Sequence, residues 1–236
     1  MENTIKQYKV TYKTYFNERL QKSLFHTKLM HPLYVQIIFD RVPIIFKSYY
    51  YDLFSKSKYV IHVAEKVFTP DIKEIIQKEE KLIEFIIDKN LQKFSLDIFK
   101  KEYAFYSRDL PDIMEEDFLE YLFTFLHDEG MPFLANTLKK GASNAKLYDL
   151  MQNLKVAFNP ELYKKLIENS FYYAPPYLQV YTIMLQLKTN QSPLITLCVM
   201  DWEQSIQNTF TDFFKNTYPG YNVTEVIKKI KKFIDN

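Results

Sequence analysis

The stretch HPLYVQIIFDRVPIIFKSYYYDLF, residues 31–54, alternates apolar and polar positions in a chain whose later segments have helical spacing. Leu33, Val35, Ile37 and Phe39 share one face of an extended segment. Asp40-Arg41-Val42-Pro43 interrupts, and Ile44 and Phe46 resume with Lys47 and Tyr49 opposite. The pattern predicts a hairpin. Pro43 has no N–H to give to a ladder, so it belongs at the turn or on an edge. Upstream, YKVTYKTYF at 8–16 puts Tyr8, Val10, Tyr12 and Phe16 on one face and Lys9, Thr11, Lys13 and Tyr15 on the other, a third half-buried strand. A small sheet alone is marginal in water, so its apolar face needs cover, and the helices that follow are the obvious source.

Thr69-Pro70-Asp71 combines a cap residue, a proline for the first helical position and an acid for the first turn. Ile72, Ile75, Ile76, Leu82, Ile83 and Ile86 then recur at helical spacing, predicting a long amphipathic helix to about Asn90. Ser95 caps a second helix, and a third spans Glu115 to His127, stopping before Gly130-Met131-Pro132. Further helical patterns run over 131–138 and 144–156, and from Asn159-Pro160 through Glu168. Tyr177 to Leu187 suits a buried strand or a buried helix, with helix favoured by its surroundings. Ser192-Pro193 starts another helix through Asn216, and Thr224 caps the last, VIKKIKKFI. The expected fold is α+β: a small N-terminal three-stranded antiparallel sheet, residues 1–65, followed by a mainly α-helical body, 66–236, with a subdivision allowed near 130 or 174.

The chain has 236 residues, 47% of them apolar and 17% aromatic, enough for a substantial core. No segment approaches the roughly 20 uninterrupted apolar residues of a membrane span, and MENTIKQYKV lacks the apolar run of a secretion signal. A soluble, cytoplasmic protein with no membrane partner is expected. Cys198, the single cysteine, excludes an internal disulfide and a cysteine-based zinc cage. Net charge is +2, unevenly spread: residues 1–60 carry ten basic and four acidic groups, leaving 21 basic and 25 acidic to the rest. A basic head on a mildly acidic body hints at a polyanionic partner at one end.

Three glycines leave no phosphate-cradling loop of either common type. His26, His31, His62 and His127 form no H-x-x-H or H-E-x-x-H pattern, so surface or capping roles are expected of them. Cys198 lies in the apolar run LITLCVM, where a thiol is ordinarily a small buried hydrophobe. RDLPDIMEEDFLE is rich in carboxylates, but no paired histidine or second motif accompanies it; it reads as a solvated face and helix-start acids. The lysines of VIKKIKKFI read as the wet side of a docked terminal helix. No catalytic motif is recognisable, and neither a metal nor a cofactor is expected.

The sharper reading belongs to the sheet. Its uncovered face should display Lys9, Lys13, Tyr15, Tyr34, Gln36, Lys47 and Tyr49, with Arg41 at the hairpin turn. Lysines neutralise phosphates, and tyrosines and amides touch bases and sugars. The order of strand, HPLYVQIIFDRVPIIFKSY hairpin, TPDIKEIIQKEEKLIEFI helix and FSLDIFKKEY resembles the N-terminal region of tyrosine recombinases (phage-type integrases) over about residues 6–130. That resemblance implies an arm-type DNA-binding domain followed by the start of a core-binding domain. The family's catalytic domain has no counterpart: no H-x-x-R occurs, and no arginine follows Arg108. The expectation is a non-enzymatic, DNA-associated accessory protein of a mobile element or phage, its helical body serving protein–protein interaction. The alternative is a structural or assembly protein, such as a virion or tail-ring subunit, located in the virion and forming homo-oligomers or binding a protein partner.

Overall fold

In the computed structural model, which describes residues 9–63, 66–187 and 196–236, the N-terminal strands are β1 (Thr11–Phe16), β2 (Ser23–Phe25), β3 (Lys28–Met30), β4 (Leu33–Phe39) and β5 (Val42–Lys47). The expected three-stranded antiparallel sheet is present in the order β1-β4-β5, with Tyr12 opposite Ile37 and Ile37 opposite Ile44. Because side chains alternate, this register puts Leu33, Val35 and Ile37 on one face, where they are fully buried. Tyr8 lies outside the described residues. Val42 and Pro43 belong to β5 and not to an interruption, so the turn is only Asp40-Arg41, with φ of 46° and 65°. Two residues at positive φ match the right-handed twist of the flanking strands. An arginine held there costs about 1 kcal/mol relative to glycine. Arg41→Gly is therefore expected to raise the denaturation free energy by about that amount, measured by urea unfolding.

A second hairpin, β2–β3, was not legible in the sequence. Helix α1 (Tyr49–Ser55) follows β5 directly: the Ser48 side chain accepts from the Tyr51 N–H, and Tyr49 opens the helix instead of continuing the strand. Phe25 of β2 is buried, stacked on Tyr51 at 5.0 Å between ring centroids. Two short strands, β6 (Ile61–Val63) and β7 (Lys66–Phe68), pair next, and α2 (Ile72–Lys89) and α3 (Leu96–Tyr106) follow. Asp71, not Thr69, caps α2, accepting from the Lys73 N–H, so Pro70 lies outside the helix; Ser95 caps α3 as expected. The sheet's apolar face is covered by these two helices. Phe46 meets Tyr103 at 4.6 Å, and the Tyr12 and Thr14 hydroxyls donate to Glu84 and Glu80 at 2.6 and 2.9 Å. This cover is why the compact unit runs past residue 65: it comprises the chain to Lys56 and His62–Ser107.

The other unit, Ser57–Ile61 with Arg108–Asn236, is helical: α4 (Leu110–Asp128), α5 (Pro132–Gly141), α6 (Leu147–Ala157), α7 (Pro160–Tyr173), α8 (Tyr177–Leu187), α9 (Val199–Asp201), α10 (Gln207–Thr217) and α11 (Val223–Asp235). Helix α4 begins five residues before Glu115 because Asp109 caps it, accepting from the Asp112 N–H, and Pro111 fits its first turn. Met114, Phe118, Leu122 and Leu126 give it a fully buried stripe. The ambiguous segment 177–187 is a helix, and Asn159 caps α7. Asn222, not Thr224, caps α11, which buries Val226, Ile230 and Ile234. Ser192-Pro193 lies outside the described residues. Trp202–Ile206 is a π-turn joining α9 to α10. Among the described residues no helix is long and apolar enough to cross a membrane.

Candidate nucleic-acid interface

The register of β1-β4-β5 arranges the outer face of the sheet in rows. Tyr15, Tyr34 and Lys47 lie abreast on the three strands, and Lys13, Gln36 and Ile45 form the next row, about 7 Å away by strand geometry. Five of the eight residues singled out in the sequence thus share one surface. Lys13 and Lys47 are exposed, and Tyr15, Tyr34 and Gln36 are half-buried among their neighbours. Lys13 Nζ sits 4.9 Å from the centre of the Tyr15 ring, which is 6.5 Å from that of Tyr34. Lys47 is 2.5 Å from Asp52, both side chains about half exposed, so its charge is shared with the protein and exchangeable.

The remaining three are placed differently. Lys9 is exposed two residues before β1, and Arg41 is exposed at the turn. Tyr49 is not on the outer face: as the first residue of α1 it packs its ring against Tyr50, and its N–H donates to the Tyr103 hydroxyl. The strand ends at Lys47, two residues before Tyr49, because Ser48 caps α1 and turns the chain into the helix.

The titratable groups most disturbed by burial lie elsewhere. In the first unit Glu79, fully buried on α2, accepts hydrogen bonds from the Ser48 and Tyr103 hydroxyls. Burial pushes its carboxyl up, and the hydrogen bonds from Ser48, Tyr103 and the Tyr50 backbone pull against that shift without reversing it. In the second unit Lys58 binds both Asp112 and Glu115, with only 11% of its side chain exposed. The Tyr177 hydroxyl donates to Glu115 at 3.0 Å, and the Lys146 ammonium stands 5.4 Å from the Tyr59 ring. The free volume within this cluster is about 10 Å³, no more than a single water molecule needs. It is a packed polar core.

The carboxylates of RDLPDIMEEDFLE divide between structural tasks: Asp109 caps α4, Asp112 and Glu115 hold Lys58, and Glu120 pairs with Lys139 at 2.5 Å. Asp109, Asp112 and Glu115 are thus more buried than a solvated face would make them. His26 and His31 engage the backbone carbonyls of Phe54 and Leu20 at 2.6 and 2.8 Å, and His127 packs on Phe123. His62's side chain lies outside the described residues. No group of three or more His, Cys, Asp or Glu that could hold a metal occurs among the described residues. Cys198 is fully buried. A broad open groove of about 800 Å³ runs between α4, the end of α7 and α11. Its Lys229 is committed to the carbonyls of Phe171, Tyr172 and Ala174, where it closes the end of α7.

The protein is therefore α+β in class, a three-stranded antiparallel sheet covered by two helices, with a second, mainly helical unit. No known protein family, curated protein or solved structure matches the chain.

Proposed function

We propose that the chain is a non-enzymatic, DNA-associated accessory protein, of the kind carried by a mobile element or phage, and that it touches the duplex with the outer face of β1-β4-β5. The observation that carries this reading is the pair of rows, Tyr15-Tyr34-Lys47 beside Lys13-Gln36-Ile45, which sets two exposed cations next to half-buried aromatic and amide groups on one face. A sheet laid in a groove is an established way to contact DNA. The cations supply phosphate attraction, and Tyr34 and Gln36 reach bases or sugars. The test is fluorescence anisotropy of a mixed-sequence duplex at low and physiological salt. Three lysine–phosphate contacts imply a slope of log K against log salt of about −3. The triple variant K9E/K13E/K47E is expected to lose binding. Absence of binding at low salt, or equal binding by the triple variant, rejects the reading.

One observation favours the assembly alternative. Leu24 and Leu29, directly opposite each other on β2–β3, are 67% and 64% exposed, while Phe25 anchors the hairpin on its other side. An aliphatic pair displayed this way suits a subunit or partner contact. A concentration-dependent mass in sedimentation that is lost in L24S/L29S would support assembly in place of DNA contact.

A further inference from the structure

The broad groove in the helical unit has one acidic and one basic wall. Along α4, Asp117, Thr124 and Asp128 recur at helical spacing and form a single stripe beside it. Asp117 and Asp128 are exposed and have no ion-pair partner among the described residues. Glu120 lines the same wall but is already paired with Lys139 on α5. Across the groove α11 presents Lys229 and Lys232. Lys228, one turn before Lys232, continues the cationic row, although it also holds Glu225 at 3.0 Å. Lys229 bonds neutral carbonyls, which leave its charge in place. Among the described residues no ion pair crosses from α4 to α11, so the opposite charges of the two walls do not satisfy each other within one chain.

At the end of α7 the groove is lipped by Tyr172 and Tyr173, 68% and 78% exposed. Tyrosine is enriched in protein interfaces, whose charged groups lie at the rim, and two neighbouring rings held out in water between charged rows have that composition. The charges decide the occupant. A groove acidic on both walls would call for a basic partner, and a groove basic on both walls for an acidic one. This groove has one wall of each sign, and such a surface is complementary to itself. Turned about a two-fold axis, the acidic stripe of one copy faces the cationic row of the other, and every contact occurs twice.

We propose that this groove is where a second copy of the chain docks, as a two-fold dimer in which Asp117 and Asp128 of each copy face the partner's Lys228 and Lys232 and the exposed tyrosines are covered between them. The surface shares no residue with the outer face of the sheet or with Leu24 and Leu29. It therefore stands or falls separately from DNA contact and from assembly through the β2–β3 hairpin.

The experiment is sedimentation equilibrium of the full chain over a concentration series at low salt, repeated with D117K/D128K, with K228E/K232E and with an equimolar mixture of the two variants. The wild type is expected to pass from monomer to dimer as concentration rises, and to do so less readily at high salt. Each variant alone should dimerise about tenfold more weakly or worse, because like charges then meet at both contacts. The mixture should regain the dimer, since the reversed α4 of one variant meets the reversed α11 of the other. All four positions are exposed, so the thermal midpoints should not move, and recovery on mixing is a result that misfolded variants cannot give. Y172S/Y173S should weaken the dimer, whereas L24S/L29S and K9E/K13E/K47E should leave it intact. A wild type that stays monomeric, even one whose groove takes an unrelated basic peptide, overturns the proposal. So does a dimer that both charge reversals leave unchanged, or one lost in the two variants and not regained by mixing them.

Discussion

Lys58→Met is expected to destabilise the helical unit by about 3 kcal/mol. Methionine keeps the length of the side chain and most of its packing, so the substitution isolates the charge. What it leaves behind are Asp112 and Glu115, whose side chains are 18% and 17% exposed and which both bind the ammonium. Removing one partner of a largely buried ion cluster costs more than the cluster contributes, because the remaining charges stay desolvated. Trp202, the single tryptophan, is buried in the same unit, so its fluorescence reports this unfolding directly. A fall in the thermal midpoint on the order of 10 °C is expected. The triple variant K58M/D112N/E115Q should recover most of the loss, since neutral groups of the same shape are cheaper to bury than unpaired charges. Equal stability of K58M and the wild type would show that the cluster is solvated. Burial works against the charge on Lys58, but attraction and hydrogen bonding from Glu115 and Asp112 outweigh it and raise its pKa. The stabilisation from that charge is therefore complete below the ordinary lysine value and is lost only as pH climbs through the raised one.

Glu79→Ala should cost the sheet-containing unit about 3 kcal/mol. The substitution empties space among fully buried side chains and takes the acceptor from the Ser48 and Tyr103 hydroxyls. Ser48 also caps α1, and Tyr103 also accepts from the Tyr49 N–H at 3.1 Å, so the loss reaches the junction between β5 and α1. Hydrogen exchange of the β4 and α2 amides measures it without a tryptophan in that unit. Glu79→Gln should cost less, about 1 kcal/mol, because it keeps the volume and a hydrogen-bonding head. Its pH behaviour is the sharper test. A carboxyl raised by burial holds its proton in the folded chain after the unfolded chain has released it. Wild-type stability should therefore decline as pH rises from the ordinary glutamate value through the raised folded one. E79Q should show no decline from this source. A wild-type profile that rises across the same window would mean that Glu79 is folded in its charged form.

Much of the fold follows from local pattern. The alternation of Leu33, Val35, Ile37, Ile44 and Phe46 is a property of the strand itself, so the sheet, its central hairpin and its buried face were legible from residues 31–47. Ser95 and Asn159 were legible as caps because a cap bonds to backbone two or three residues away. The same locality explains the displaced starts: Asp71 and Asp109 compete with neighbours that look equally able to cap, and only the path of the incoming chain chooses between them. The outer face was legible for Lys13, Tyr15, Tyr34, Gln36 and Lys47 for as long as the strand lasted, and failed at Tyr49, where the chain turns into α1.

The sequence by itself determined which residues share a face, because period and capping are read within a few positions of the chain. Only the tertiary structure decided what opposes each face. Glu79 looks no different from Glu80 and Glu84 in IKEIIQKEEKLIEF, and becomes a buried acid because Ser48 and Tyr103, 31 and 24 positions away, close over it. Lys58 reads as one more surface lysine until Asp112 and Glu115, 54 and 57 positions on, surround it. In each case burial comes from residues far along the chain, and desolvation by those residues, which no local pattern encodes, turns an ordinary polar side chain into a chemically distinctive one.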